Sequence, residues 1–292
     1  MSNLVSRIAI AASALAFAVP VLAQPEPGER SGPPAGMLAD SVFDDTYVTI
    51  GLGGSYSPSY DGSDEYSFSV LPVILGSVEG IDFTPRGPGF AVNVIPERDN
   101  AKVDFRFGPV ITASFDRVND IKDPVVEQLG ELDTAIEIGP TAGIQINRIT
   151  NPFDSLTAAL DVKWDVAGAH RGMVVSPSLT YFTPVSRGAA ISLVLNAEHV
   201  DDDFASYYYT ITPTGSMASG LPTFTADGGW KSVGGTAFGV IDLDGNALNG
   251  GWSAIVLGGY SRLLGDAKRS PVTSIRGSAD QWFGSIGVGY TF

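Results

Sequence analysis

QWFGSIGVGYTF, at residues 281–292, is the most specific signal in the sequence. Counting back from Phe292, every second residue is aromatic, apolar or glycine, and most of the residues between are small or hydroxylated. A period of two is typical of a β-strand with two different faces. Aromatic residues near both ends are typical of a strand that crosses a membrane as part of a barrel. The ending also resembles the insertion signal of the bacterial barrel-assembly machinery, carried here by Phe292, Tyr290, Val288 and Ile286.

The same period of two runs through most of the chain from Thr46 onward. In residues 103–115, for example, Phe105 and Phe107 alternate with Asp104 and Arg106. Many of the repeats exceed ten residues, which is longer than the five or six of an ordinary globular strand and close to a tilted membrane-crossing strand. The strand candidates are 46–57, 66–76, 81–94, 102–115, 134–148, 155–168, 173–183, 189–199, 232–243, 251–262 and 280–292.

We predict an all-β fold, a transmembrane antiparallel β-barrel over residues 46–292. Bacterial barrels have an even number of strands, whereas the candidates number eleven. One strand is therefore miscounted before Ile95, where Pro72, Pro85 and Pro88 interrupt the pattern. This predicts about twelve strands, with ten as the fallback. The alternative, a soluble β-sandwich, would turn the apolar faces inward.

The N-terminus has the features of an export signal. Arg7 precedes a short apolar run, and Val21-Leu22-Ala23 provides the small residues that a signal peptidase reads. We predict a signal peptide over residues 1–23, cleaved between Ala23 and Gln24. The apolar run is too short for the alternative, a membrane anchor. Residues 24–45 are rich in Pro, Gly and charge, which predicts a flexible periplasmic lead-in.

Composition excludes several classes of function. The 32 acidic and 17 basic residues give a net charge of −15, which disfavours binding to nucleic acid. The absence of cysteine excludes thiolate metal sites and cysteine nucleophiles. A lipid hydrolase would need His170 or His199 as its base, and no G-x-S-x-G motif supports either. We therefore predict no enzyme, catalytic residue, cofactor or metal site, and interpret Asp201–Asp203 as a solvated acidic loop.

Loop lengths predict an orientation. The three longest connections, 116–133, 200–231 and 263–279, fall on one side of the alternating strands, and barrels of this kind place long loops outside the cell. The same alternation puts the first tight loop on the periplasmic side, where it could face a murein enzyme or simply shape the rim. This candidate partner loop consists of Pro58, Tyr60, Asp61, Gly62, Ser63, Asp64 and Tyr66.

Charged residues recur on the face opposite the apolar one. Inside a narrow barrel such charges must be paired, which predicts either a structural plug or the lining of a small pore, and we favour the plug. The predicted lumen charges are Lys102, Asp104, Arg106, Glu137, Asp161, Lys163, Asp165 and Glu198.

Three further motifs carry a family resemblance. SPSYDGSDEYSFSVLPVI (57–74), YYYTITPTGSMASGLPTFTADGG (207–229) and YSRLLGDAKRSPVT (260–273) resemble, in order, the signatures of the MipA/OmpV family, the MltA-interacting proteins. Phe224, Lys268 and Arg269 depart from the usual pattern. The resemblance implies an outer-membrane barrel that acts as a scaffold between a murein lytic transglycosylase and a peptidoglycan synthase. Other members are described as stress-responsive barrels or adhesins, and a narrow pore is the alternative that the charges suggest.

Overall fold

The computed structural model describes residue 42 and residues 46–79, 81–96, 98, 101–119 and 121–292. The predicted signal peptide and its cleavage between Ala23 and Gln24 lie outside the described residues. So does the predicted lead-in over 24–45, apart from Val42. Among the described residues, no helix is long and apolar enough to cross a membrane.

Twelve antiparallel strands form a closed barrel in chain order, and β12 pairs with β1. The strands are β1 Tyr47–Pro58, β2 Tyr66–Val78, β3 Ile81–Pro85, β4 Gly89–Asn93, β5 Val103–Ser114, β6 Ala135–Asn147, β7 Ser155–Asp165, β8 Met173–Ser186, β9 Ala189–Val200, β10 Gly229–Asp242, β11 Gly251–Leu263 and β12 Asp280–Thr291. The helices are α1 Pro124–Glu127, α2 Asp202–Tyr209, α3 Pro213–Ser219, α4 Gly265–Arg269 and α5 Pro271–Ser274, with a 3₁₀ turn at Ala247–Asn249.

The prediction of a twelve-stranded transmembrane barrel is confirmed, and the missing strand lies where the prolines obscured the pattern. The candidate 81–94 consists of two short strands, β3 and β4. They form a hairpin in which Gly87 has a φ of +58° and the Arg86 N–H donates to the Gly89 carbonyl over 3.0 Å. A turn of this kind favours glycine, because a positive φ is strained for residues with a Cβ.

The strand order defines two ends. We call the outer end the one that carries the long connections 115–134, 201–228 and 264–279, together with 59–65, 86–88 and 166–172. The inner end carries 79–80, 94–102, 148–154, 187–188 and 243–250. Barrels of the outer membrane keep short turns in the periplasm and longer loops outside, so the outer end is extracellular.

The side chains alternate between lipid and lumen as predicted. Phe105, Phe107, Leu195 and Ile286 are among the exposed apolar residues of the outer face. Within 281–292, Ile286, Val288, Tyr290 and Phe292 lie on that same face. Their role as an insertion signal stays a prediction.

Aromatic residues on the outer face gather at two levels. Near the outer end, Tyr260 and Trp282 lie 4.7 Å apart between ring centroids. Near the inner end, Trp252 and Tyr290 lie 5.2 Å apart, and Phe292 follows at 4.7 Å from Tyr290. Such girdles mark the two membrane–water interfaces, so the apolar band between them faces lipid.

The inner half of the lumen is filled on one side by apolar side chains. Phe238, Ile255 and Leu257 form a buried cluster, against which Val73 and Phe283 pack. Close packing of this kind excludes water and fixes the barrel cross-section.

Polar side chains fill the opposite side of the inner half. Gln145 is completely buried; its oxygen accepts from the Thr157 hydroxyl over 3.1 Å, and its amide donates to Asn147 over 2.9 Å. The Asn147 amide in turn donates to Asp104 over 2.9 Å. The inner half is thus a hydrogen-bonded core, because buried polar groups need partners.

The long connections fold into what we call the outer cap, residues 115–134, 201–228 and 264–279. Phe204, Tyr208 and Tyr209 of α2 are buried against the barrel rim. The C-terminal carbonyls of α2 accept hydrogen bonds from Arg117 and Ser270, each over 2.7 Å. Because these are the carbonyls that a helix leaves without internal partners, the bonds fasten α2 over the barrel mouth.

Candidate functional site

A cavity of about 1340 Å³ occupies the outer half of the lumen, beneath the outer cap. We call it the outer cavity. Its walls combine serine, threonine and asparagine side chains with eight charged residues, which are Asp61, Arg86, Asp116, Glu137, Asp161, Lys163, Glu198 and Lys231. A cavity of this size with eight charged side chains in its wall has room and partners for water molecules. It is the best-formed candidate site in the described part of the chain.

One charged cluster in its wall is centred on Glu137. Its carboxylate lies 2.5 Å from the Lys163 ammonium and accepts from the Thr112 hydroxyl over 2.9 Å. His170 Nε2 lies 3.4 Å from the second carboxylate oxygen, and its Nδ1 accepts from the Gly172 N–H over 3.0 Å. Because Nδ1 accepts a hydrogen bond, a proton of the ring lies on Nε2, on the side of Glu137. These side chains are buried, so the negative charge of Glu137 and the positive charge of Lys163 stabilise each other.

This cluster also touches the outer cap. The His170 ring packs edge-on against Phe204, 4.8 Å between centroids, and lies 5.8 Å from the Tyr208 ring. The contact connects the barrel wall to α2.

A second cluster is centred on Lys231. Its ammonium lies 2.6 Å from Glu198 and 2.9 Å from Asp61, and 5.3 Å from the centre of the Phe204 ring. The Asp61 N–H donates to Asp116 over 2.8 Å. One cation thus holds a strand carboxylate and a loop carboxylate together and packs on an aromatic ring, an arrangement that stabilises a desolvated charge.

A third ion pair narrows the lumen below the outer cavity. Arg86, in the β3–β4 turn, donates to Asp161 of β7 over 3.0 Å, and the Thr141 hydroxyl donates to the same carboxylate over 2.5 Å. Beyond this constriction lies a pocket of only about 40 Å³, which Arg86 also lines. The outer cavity therefore narrows sharply at Arg86 and Asp161.

The structure brings most of the predicted lumen charges into the interior. Glu137, Asp161, Lys163 and Glu198 line the outer cavity. Asp104 lies in the inner core, and Arg106 lies 3.8 Å from Asp82.

Two of the predicted lumen charges lie at strand ends, and one of them, Lys102, does not face the lumen. Lys102 is exposed in the β4–β5 turn, where its ammonium donates to the Arg148 carbonyl. Asp165, at the last position of β7, accepts from the N–H groups of Ala167 and Arg171 over 2.9 Å. Lys102 lies outside β5, so the alternation of faces does not apply to it, whereas Asp165 is paired with Glu137 and its carboxylate turns to the β7–β8 connection.

The candidate partner loop lies at the outer end, and its predicted periplasmic position is wrong. The Gly62 N–H donates to Gln281 of β12, and Ser63 pairs with Gly277 in the β11–β12 connection. The residues of the loop are Pro58, Tyr60, Asp61, Gly62, Ser63, Asp64 and Tyr66, of which Tyr60 is buried in the cap and Asp61 pairs with Lys231. Counting 81–94 as one strand instead of two reversed the side of every loop before it.

The two histidines lie in different surroundings. His170 contacts Glu137 and a main-chain N–H, and His199 packs edge-on against Trp230 at 5.3 Å. Neither ring is hydrogen-bonded to a serine or threonine hydroxyl of the described residues. Asp201 caps α2 and also accepts from the Met173 N–H over 2.7 Å, whereas Asp202 and Asp203 are exposed in the first turn, so the acidic run begins a helix and is not a loop. The described residues contain no acidic or histidine group suited to a metal ion.

Asp116 gives a testable pH dependence. Burial, together with the nearby Asp61 carboxylate, raises the pKa of Asp116 to about 6. The folded state therefore binds this proton more tightly than the unfolded state does, and the stability that Asp116 contributes falls as the pH rises from about 4 to about 6. We expect Asp116→Asn, which keeps an acceptor for the Asp61 N–H, to raise the free energy of unfolding by about 1–2 kcal/mol at pH 7.5.

The measurement is urea unfolding in detergent, followed by tryptophan fluorescence. At pH 4 the variant and the wild type are expected to unfold at the same urea concentration. An equal gain at both pH values would contradict the assignment. Asp203→Asn, on the exposed side of α2, is the control.

A closed twelve-stranded barrel with an apolar belt, two aromatic girdles and long loops at one end defines an outer-membrane β-barrel protein. Residues 50–292 match the family described as MltA-interacting protein MipA, and the chain belongs to that family. No curated protein matches the chain in sequence.

Solved structures of similar fold include outer-membrane channels. One is an outer membrane channel from Pseudomonas putida F1, with 10% identity and a TM-score of 0.41, which covers 92% of this chain and 100% of its own. Another is the outer membrane channel DcaP of Acinetobacter baumannii, with 12% identity and a TM-score of 0.32, covering 90% of this chain and 100% of its own.

Proposed function

We propose that this protein is a non-enzymatic outer-membrane barrel that admits small solutes and is closed at rest. The observation that carries the proposal is the outer cavity, which is large and carries eight charged side chains in its wall, in a molecule whose inner half is densely packed. A barrel interior that served only as structural filler would leave few voids larger than a water molecule. The outer cap and the Arg86–Asp161 pair act as the two closures.

The charges of the outer cavity favour cations. Five carboxylates and three cationic side chains line it, a formal excess of two negative charges. Rings of acidic side chains select for cations in channels. We therefore propose that cationic and neutral solutes enter more readily than anions.

Breaking the constriction is expected to open the barrel. In Arg86→Ser the side chain becomes too short to reach Asp161, so the lumen widens between the outer cavity and the small pocket beyond it. In planar bilayers we expect rare, small conductance steps for the wild type and at least a fivefold higher open probability for the variant, with cation selectivity.

The control is Arg262→Ser, which breaks an ion pair with Asp280 that is partly exposed at the outer rim. It is expected to behave as the wild type. If the open probability of Arg86→Ser is as low as that of this control, the Arg86–Asp161 ion pair does not gate the barrel. That result would contradict the proposed closure of the channel.

A scaffold is the second candidate, and the family description favours it because that description names an interaction with MltA. In this proposal a murein lytic transglycosylase and a peptidoglycan synthase bind at the periplasmic side, through the inner turns or residues 24–45. Crosslinking of intact envelopes, followed by purification of the tagged barrel, should recover both enzymes. Recovery of neither would leave the channel as the only candidate.

Export and insertion complete the proposal. A cleaved signal peptide would leave a mature protein that begins at Gln24, which intact-mass measurement can test. The barrel-assembly machinery would then recognise Ile286, Val288, Tyr290 and Phe292 and insert the barrel into outer-membrane lipid.

A further inference from the structure

One strand of the barrel has a largely unpaired edge. β2 pairs with β1 along its whole length, from Tyr66 to Ser77. On its other side it pairs with β3 only at Gly76, Ser77 and Val78. Among the described residues, no strand pairing joins this second edge of β2 over residues 66–75 to another part of the chain. We call this segment the open edge.

The open edge exists because the next two strands are short. β3 ends at Pro85, and the chain turns back through Arg86–Pro88 into β4. β4 then pairs with β5 beginning at Gly89 and Thr112. The wall above the β3–β4 hairpin is therefore interrupted between β2 and β5.

Unpaired backbone groups are costly in hydrocarbon, where each costs several kcal/mol, and they are tolerated at membrane depth where they line a water-filled cavity. The outer cavity meets this condition. Ser67 and Ser69 line it from the lumen side of β2, and Phe68, Val70 and Pro72 line it from the lipid side. Since no strand pairs with this edge of β2 over residues 66–75, the outer cavity can reach both faces of β2 past that edge, through the wall.

The aromatic girdle at the outer end indicates the depth of this opening in the membrane. Tyr66 stacks on Tyr56 at 5.1 Å between centroids, at the same end as Tyr260 and Trp282. Phe68 and Val70 follow Tyr66 toward the inner end and are strongly exposed. The opening therefore faces the acyl chains of the outer leaflet, just below the outer interface.

We propose that the open edge is a lateral entrance through which a single-chain amphiphile with a cationic head group passes between the outer leaflet and the outer cavity. The apolar residues of the outer face suit the chain. The head group would enter a cavity whose three cations are each paired with a carboxylate and whose net charge is negative. The proposal rests on the proposed function in one respect, that the outer cavity admits solutes.

A lateral entrance is also compatible with an outer end that is covered by the outer cap. Tyr60, Val126 and Val272 form a buried cluster in the outer cap, so the cap has a core of its own. A solute that enters from the side does not require this core to unfold.

The first test uses the absence of cysteine in the chain. Ser67→Cys and Thr236→Cys each carry a bimane label in the outer cavity, but Thr236 lies on β10, which is paired on both sides. In proteoliposomes with brominated acyl chains, we expect lipid to quench the label at position 67 at least threefold more than the label at position 236. Equal quenching would overturn the lateral opening.

The second test addresses the ligand. The probes are a nitroxide-bearing dodecyl ammonium and a nitroxide-bearing dodecyl sulfate at matched membrane concentrations. We expect the cationic probe to quench bimane at Ser67→Cys at least threefold more than the anionic probe. When Val70→Trp is combined with Ser67→Cys, quenching by the cationic probe should fall by more than half. Val256→Trp lies on the lipid face of β11, which is paired on both sides, and should leave that quenching unchanged.

The outcomes separate the alternatives. Equal quenching by both probes would overturn the cationic head group. A disulfide-linked dimer of Phe68→Cys, formed in proteoliposomes by mild oxidation, would show that the open edge binds a second copy and would overturn the entrance. The quenching of bimane does not require the barrel to conduct ions. The lateral entrance can therefore be tested even if Arg86→Ser shows no conductance in bilayers and the channel proposal fails. Heat-modifiable migration on a gel confirms that each variant is folded.

Discussion

Replacing Glu137 with alanine is expected to lower the free energy of unfolding by about 3–5 kcal/mol, because it leaves the Lys163 charge buried without its carboxylate. Among the described residues, the hydrogen-bond partner that Lys163 retains is the Thr112 hydroxyl, 2.9 Å from its ammonium. A hydroxyl does not replace the attraction of a carboxylate at 2.5 Å. Urea unfolding of the purified barrel in detergent, followed by tryptophan fluorescence, measures the loss.

Two controls make this result specific. Asp280→Ala removes the partly exposed Arg262–Asp280 pair and is expected to cost less than about 1 kcal/mol. The double variant Glu137→Leu/Lys163→Met removes both charges together and should recover most of the loss, because a buried ion pair can be replaced by apolar side chains at little cost. A loss below about 1 kcal/mol in Glu137→Ala would show that water reaches Lys163.

The fold could be predicted from the sequence because the two-residue period does not depend on details of packing. The alternation in 103–115 and 281–292 distinguishes a lipid face from a lumen face residue by residue. The position of a loop depends instead on the parity of the strand count. One hidden turn, at Arg86–Pro88, reversed the predicted side of the loop at 59–65.

The candidate site was less predictable, because it is built at strand ends and turns. Lys231 points into the lumen through an irregularity in the β9–β10 pairing between Trp230 and Ser232, which alternation does not anticipate. Arg86 reaches Asp161 from a turn, across strands distant in sequence. The sequence nevertheless indicated that the predicted set lacked some cations, since the carboxylates predicted to face the lumen outnumber the cations predicted there. Some further cations had to balance them.

Replacing Lys231 with methionine is expected to be the second most disruptive change, and its effect should depend on pH. Methionine keeps the length and the apolar contact with Phe204, but it leaves Glu198 and Asp61 facing each other without the shared cation. We expect a loss of about 3–5 kcal/mol in the free energy of unfolding at pH 8. Asp116, already held at a raised pKa by burial and by Asp61, adds to the repulsion.

Lowering the pH should largely restore the Lys231→Met variant. As Asp116 takes up its proton below about pH 6, the repulsion at this site weakens, and the difference from the wild type should shrink to less than half by pH 4.5. Lys231→Met/Asp61→Asn/Glu198→Gln removes the charges at every pH and should show a smaller loss with little pH dependence. Because Asp61 belongs to the loop at 59–65, the single variant at pH 8 should also expose that loop to protease before the barrel unfolds. A loss that is equal at pH 8 and pH 4.5 would mean that Lys231 acts through its packing on Phe204, and that the carboxylates at the barrel mouth do not depend on its charge.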